Sequence, residues 1–301
     1  MTLQQLKYII MVAEKGTISE AAKELFISQP SLTNAIKELE KEMGIKIFHR
    51  TNRGITITND GDEFLAYARQ VIEQANLLEE KYLNPTDHSS RFSVSCQHYS
   101  FAVNAFVDII REFGGNKYDY TLRETQTYEI IDDVQRLTSE IGILYTSTKN
   151  EEIIMKLLKK YDLVFQELLV AKPHVFINYN HPLADREALS LKDLEDYPYL
   201  SFEQGEYNSF YFSEEILSTL DRRKNIKVRD RATLFNLVVG LDGYTVSSGI
   251  INKELNGEHI IARPLLVDEY MRIGTITKKN MILSRYGKAY MEALKRHTGG
   301  V

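Results

Sequence analysis

One cysteine and no tryptophan occur in the 301 residues. A lone thiol excludes an internal disulfide framework and any zinc site built from several thiolates. It fits a reducing, cytoplasmic setting. Long apolar runs are missing too: nothing approaches the roughly eighteen residues that a membrane-spanning helix needs. The opening Met1-Thr2-Leu3-Gln4-Gln5-Leu6-Lys7 lacks the apolar block and cleavage site of a secretory leader. The seven histidines are scattered, with no pair at metal-ligand spacing. No phosphate loop, dinucleotide glycine fingerprint or nucleophile elbow is found. The expectation is therefore no catalytic residue, no metal, no cofactor and no enzyme.

Excess positive charge is also absent. The net charge of −5 argues against a protein that coats nucleic acid non-specifically. Yet residues 1–58 hold eight basic and six acidic side chains, a balance of +2 that leaves −7 for the rest. From Met43 to Thr58 there are three cations and no acid. A small cationic module on an acidic body suits a phosphate contact.

Within that module Leu3, Leu6, Ile9, Ile10 and Ala13 recur at helical spacing and predict a first helix ending at Gly16. Ser19 reads as the N-cap of a short second helix, Glu20 to Leu25, and Ser28 as the cap of a third with Pro30 in its first turn. Leu32, Ala35, Ile36, Leu39 and Met43 make its buried stripe. Gln29, Ser31, Thr33, Asn34 and Lys37 fall away from that stripe, as groups that bond base edges must. A plain three-helix bundle with a polar face is the alternative. Ile45 and Ile47, then Ile55 and Ile57, alternate with polar residues around Arg50-Thr51-Asn52-Arg53-Gly54, which predicts a hairpin wing with a cationic tip.

Gly16-Thr17-Ile18-Ser19-Glu20-Ala21-Ala22-Lys23-Glu24-Leu25-Phe26-Ile27-Ser28-Gln29-Pro30-Ser31-Leu32-Thr33, with Ile36-Lys37-Glu38-Leu39-Glu40, Gly44, Phe48-His49-Arg50 and Thr56-Ile57-Thr58, resembles the DNA-binding domain of LysR-type transcriptional regulators. The resemblance implies DNA contacts at Gln29, Pro30, Ser31, Thr33 and Asn34, with Thr17 near a phosphate and Arg53 in the wing. Arg50 either joins them or anchors the wing. Asn34 stands where many members carry a basic residue.

The next helix, capped by Thr58 or Asn59, repeats Phe64, Ala68, Val71, Ala75, Leu78 and Tyr82 at alternating spacings of four and three. That pattern reads as a dimer seam, or else as a face packed on its own domain. The resemblance implies a homodimer, often assembled into a homotetramer. The expected organisation is a winged helix-turn-helix at 1–58, a linker dimerisation helix at 59–84, a hinge at 85–90 and an effector-binding domain at 91–301.

Strand and helix patterns alternate after the hinge, implying α/β architecture with a largely parallel sheet. The order resembles the family's two-lobed, periplasmic-binding-protein-like effector domain, with lobe one at about 91–162 and 266–301 and lobe two at about 163–265. It departs from the family at Ile141-Gly142-Ile143-Leu144, which often includes an acid, and at Val246-Ser247-Ser248-Gly249, which often includes a proline. By position, the resemblance assigns effector contacts to Gln97, His98, Tyr99, Ser100, Thr125, Thr127, Phe202, Gln204, Ser247 and Ser248. These loops offer hydroxyls, amides and one imidazole but no lysine or arginine. A small polar metabolite with a carboxylate or oxoanion is thus expected, held in part at the helix N-terminus near Ser100. The function implied is a transcriptional regulator that reads an interrupted inverted repeat in double-stranded DNA under control of that metabolite. A constitutive architectural DNA binder without effector, or a small-molecule enzyme built on the α/β lobes, is the alternative.

Overall fold

The computed structural model describes residues 1–51, 54–82, 90–115, 118–205, 209–251 and 258–299, with the backbone alone at Arg50, Glu80, Lys81, Tyr82 and Ser90. Arg53 and positions 85–89 of the expected hinge lie outside the described residues. The chain divides into Met1–His88 and Ser89–Val301.

In the first unit, helix α1 (Leu3–Lys15) starts from a capping box between Thr2 and Gln5 and stops at Gly16, whose φ of 71° suits glycine. Helix α2 spans Ile18–Glu24. Its cap is Thr17, not Ser19: the Thr17 hydroxyl accepts from the Glu20 amide at 3.2 Å, and Ile18 is the first apolar residue it buries. Phe26 then turns the chain at φ 54° with its ring 95% exposed. Helix α3 (Gln29–Met43) is capped by Ser28, which accepts from the Ser31 amide. Leu6, Ile9, Val12, Ala21, Ala22, Leu32, Ile36 and Leu39 make the core.

The wing strands β1 (Phe48–Thr51) and β2 (Gly54–Ile57) pair antiparallel, Phe48 opposite Ile57. They begin later than the isoleucine alternation implied. Ile45 and Ile47 precede β1, with Ile47 plugging the core and Ile57 exposed. Glu40 explains the shift. This buried carboxylate on α3 accepts from the Ile47 amide at 2.9 Å, the Phe48 amide at 3.2 Å and the Lys46 ammonium at 2.9 Å. Burial opposes its charge, but the three donors outweigh burial and hold the carboxyl below its ordinary value. Glu40→Ala leaves two buried amides without an acceptor and should cost about 2–3 kcal/mol in urea unfolding. Because the folded carboxyl titrates low, its contribution is complete above pH 4.5 and is lost as pH falls through the depressed value. Wild type and variant should therefore converge in acid.

Helix α4 (Asn59–Tyr82) begins at Thr58, whose hydroxyl accepts from the Gly61 amide at 2.8 Å and donates to the Lys46 carbonyl. Leu65 and Ala68 are buried in the winged-helix core, with Phe64 and Ile72 partly so. The seam expectation is corrected here. Ala68 faces its own domain, so the exposed stripe runs through Tyr67, Val71 and Leu78.

The second unit is built on a five-stranded mixed sheet. Strands β3 (Ser90–Cys96), β4 (Tyr118–Glu124) and β5 (Ile141–Thr146) are parallel; β6 (Leu163–Ala171) and β12 (Met271–Lys278) complete it in the order β4-β3-β5-β12-β6. The sheet is less parallel than expected, since β12 runs antiparallel to both β5 and β6. Helices α5 (Ser100–Phe113), α6 (Thr127–Gln135), α7 (Glu151–Lys160) and α9 (Arg285–Thr298) flank it. Strand β6 pairs with β12 along its whole length. Lobe one therefore extends to Ala171 rather than ending near Asp162, and the crossover follows at Lys172-Pro173. Gly142 is crowded by Ile130, Val134 and Ile276, so a Cβ at this point of β5 has no room.

Lobe two holds an antiparallel sheet, β10 (Thr245–Ser247), β7 (His174–Asn178) and β11 (Ile260–Pro264), beside a parallel pair, β8 (Tyr199–Phe202) and β9 (Asn225–Val228). Helix α8 (Arg231–Leu241) packs on both. The lobes share one continuous core from Phe92 and Tyr290 to Tyr199 and Tyr244.

Candidate nucleic-acid interface and effector cleft

On α3 the four buried side chains Leu32, Ile36, Leu39 and Glu40 leave Gln29, Pro30, Ser31, Asn34 and Lys37 exposed, with Thr33 half-buried. Helical spacing puts Gln29, Thr33 and Lys37 in one row, with Pro30 and Asn34 alongside. The Ser31 hydroxyl lies 2.7 Å from that of Ser28, so it also braces the helix start. Thr17 is half-buried and serves as a cap first. The wing root adjoins it: the Ile55 amide donates to the Gly16 carbonyl at 3.0 Å. A Cβ at Gly54 would stand 2.6 Å from that oxygen and 3.2 Å from the Thr17 methyl. Glycine is required there by this approach and by its φ of 136°.

Between the lobes of the second unit lies a cleft of about 390 Å³. Lobe one contributes His98 and Tyr99, and lobe two contributes Phe176, Phe202, Glu214, Glu215, Arg231, Leu234, Phe235, Thr245, Val246 and Ser247. Of the ten effector positions expected, His98, Tyr99, Phe202 and Ser247 line it. Gln97, Thr127 and Gln204 stand behind the wall in a hydrogen-bonded chain. Gln97 is fully buried, donates to the Thr127 hydroxyl at 2.6 Å and accepts from the Tyr145 amide at 2.9 Å. The Thr127 hydroxyl donates to the Phe212 carbonyl at 2.7 Å, and its amide donates to Gln204 at 3.1 Å. Ser100, Thr125 and Ser248 do not line the cleft. The Ser100 hydroxyl faces the Ile250 carbonyl, Thr125 donates to Glu129, and Ser248 is fully buried and accepts from the Ile250 amide.

Sequence reasoning missed the charged groups. His98 Nδ1 lies 2.8 Å from Glu214 Oε2, both side chains no more than 5% exposed, and the imidazole stacks on Phe202 with ring centres 3.7 Å apart. Burial opposes the imidazolium, but Glu214 outweighs it and raises the pKa above 6.5. A second ion pair crosses from Glu124, at the end of β4, to Arg231, at the start of α8, at 3.1 Å. Glu215 is buried and accepts from the Phe202 amide at 2.7 Å. Burial first, then the adjacent Glu214, pushes its carboxyl up to about 8. The loops expected to line the cleft carry no arginine, and Arg231 reaches it from α8. The available signal was Ser213-Glu214-Glu215-Ile216-Leu217, two adjacent acids against an apolar run that otherwise reads as core.

Among the described residues no group of three potential metal ligands converges, and no helix is long and apolar enough to cross a membrane.

Residues 3–62 match the bacterial regulatory helix-turn-helix protein model of the lysR family, and residues 87–299 match the LysR substrate binding domain. An uncharacterized HTH-type transcriptional regulator of Bacillus subtilis, YvbU, is 25% identical, covering 99% of each chain. The regulator TfdT of Cupriavidus pinatubonensis is 47% identical over 24% of this chain and 32% of its own. A full-length OxyR from Pseudomonas aeruginosa superposes with a TM-score of 0.68 at 18% identity, covering 98% of this chain and 95% of that one. Full-length CbnR in complex with its target DNA gives 0.57 at 17% identity, covering 99% and 100%. Two domain models that together span nearly the whole sequence place the chain in the LysR family of DNA-binding transcriptional regulators.

Proposed function

We propose that the protein is a homodimer, able to assemble further into a tetramer, that reads an interrupted inverted repeat in DNA. A small polar metabolite bound between the lobes of residues 90–299 controls it. The carrying observation is the cleft whose walls come from both lobes and in which an Arg231 N–H has no acceptor among the described residues. A ligand shifts such an assembly only through its differential affinity for two arrangements, typically ~1–3 kcal/mol. A constitutive architectural binder has no use for a cleft of this kind.

The DNA contacts are Gln29, Pro30, Thr33, Asn34 and Lys37 on α3, supported by their shared exposed face. Ser31 joins them, Thr17 meets a phosphate and Arg53 meets one from the wing, roles that rest on the family resemblance, while Arg50 either contacts DNA or anchors the wing. Asn34→Ala should change base preference at one position of each half-site, by ~1–3 kcal/mol against the preferred base. Arg53→Ala should weaken all sites alike and flatten the salt dependence. Binding of a randomised-site library to the full chain measures both. If Asn34→Ala lowers affinity evenly across sequences, α3 is not the reading element. Control is tested by screening metabolites for thermal stabilisation of the full chain and then footprinting with the hit. An unchanged footprint and unchanged transcription defeat the metabolite reading.

A further inference from the structure

The cleft has two polar deficits, a guanidinium N–H without an acceptor and a carboxyl without a cation. Arg231 uses one guanidinium nitrogen on Glu124, while its Nη1 has no acceptor among the described residues. Glu215 has a backbone donor, but among the described residues no cation stands within ion-pair distance. The His98 imidazole, also on the wall, is committed to Glu214. The hydroxyl of Thr245, on a residue only 4% exposed, lines the same cavity and makes no hydrogen bond with described residues. Phe176, Phe202, Phe235 and Leu234 supply the apolar remainder.

A plain anion would satisfy Arg231 but set negative charge beside Glu214 and leave the protonated Glu215 carboxyl without a cation. A plain cation would satisfy Glu215 and leave Arg231 without an acceptor. Both deficits close together only for a ligand that carries both charges. We propose that the cleft binds a zwitterionic, amino-acid-like metabolite with an apolar side chain. Its carboxylate meets Arg231, its ammonium meets Glu215 and Thr245, and its side chain packs among Phe176, Phe202 and Phe235. A ligand lacking either charged group forfeits one of these contacts, so discrimination against it follows. The raised Glu215 carboxyl supports the assignment. It holds a proton at neutral pH, and an arriving ammonium favours the carboxylate, so that proton passes to the buffer.

This inference rests on the metabolite-control reading and deepens it. The test is calorimetric titration of the full chain with phenylalanine, methionine and leucine. Two matched probes lacking one charge, 2-phenylethylamine and 3-phenylpropionate, are run beside them at pH 7 in two buffers of different ionisation enthalpy. At least one amino acid should bind, with the corresponding one-charge probes at least tenfold weaker. Amino-acid binding should release about one proton. Glu215→Gln should weaken the amino acid at least tenfold, remove the proton release and leave 3-phenylpropionate unchanged. Arg231→Met should weaken the amino acid while sparing the amine. The series on the unaltered chain decides the matter even if a variant misfolds. A one-charge probe that binds as tightly as its amino acid overturns the zwitterion. Where Phe202→Ala then removes that binding, the cleft itself stands as the ligand site. Failure of all three amino acids also overturns the proposal, and a hit of another class from the metabolite screen would then show metabolite control surviving without it.

Discussion

Val71→Asp is expected to convert the protein to monomers and to lower its affinity for an inverted repeat by about 100-fold or more. On the single protomer Tyr67, Val71 and Leu78 are 57%, 43% and 62% exposed, a stripe of large apolar groups along one side of α4 that its own domain leaves uncovered. The other side is already spent, with Leu65 and Ala68 buried against the winged-helix core. In a two-fold pairing each residue near the axis meets its mate or a neighbour of its mate. An aspartate at Val71 then sets two carboxylates together in an apolar contact, where neither charge has a partner. Because a helix-turn-helix gains affinity by engaging two half-sites at once, loss of the pair removes the second engagement. Sedimentation of the variant, with half-site and full-site DNA titrations, checks both steps. A persistent dimer would transfer the association to the effector domains. Ala68→Val serves as the control. It should cost stability by overpacking without dissociating the pair, since Ala68 is in the core and not on the exposed stripe.

The contrast between Ala68 and Val71 shows how far the sequence reaches. A heptad pattern marks an apolar face but not what covers it, and α4 carries two such faces a third of a turn apart. The winged helix was more legible. Ser28 and Pro30 mark the start of α3 and Gly44 its end, signals that act over three or four residues. Even there Thr17 displaced Ser19 as the cap of α2, because burying Ile18 decides where the helix begins. The wing register was set by Glu40, a charged residue on a helix whose carboxylate captures two amides seven and eight residues away; no periodicity reports that. In the effector domain the polar loop after β3 was legible as a wall of the cleft, since loops at strand ends form such sites. Arg231, Glu214 and Glu215 were not. They come from segments that meet the loop only after both lobes have folded. The assignment of β6 to lobe one likewise depends on pairing with β12, a hundred residues away.

Glu214→Ala should lower the unfolding free energy of the effector domain by about 3–5 kcal/mol, the cost of stranding a buried charge. The carboxylate is 5% exposed and accepts from His98 Nδ1 at 2.8 Å, from the His98 amide at 3.3 Å and from Gln204 at 3.3 Å. Removing it leaves the His98 amide and imidazole, both on lobe one, with no acceptor in lobe two. His98→Ala alone should cost a similar amount. The double variant should cost less than the sum, because each single change already strands the other partner. The pH dependence separates the charge from the packing of His98 on Phe202. Since the folded imidazole titrates above the unfolded value of 6.5, the ion pair contributes fully below pH 6.5 and is lost as pH rises through the raised value. Wild-type stability should accordingly fall across that alkaline interval relative to Glu214→Gln, which keeps the shape and loses the charge. The same pair joins the two lobes, so its loss should also speed hydrogen exchange at the His98 amide and in the segment 209–217, while Gly142 and the rest of β5 stay protected. Equal stability of wild type and Glu214→Gln at pH 6, or parallel curves from pH 6 to pH 9, would show that the stacked ring and not the ion pair fastens the lobes.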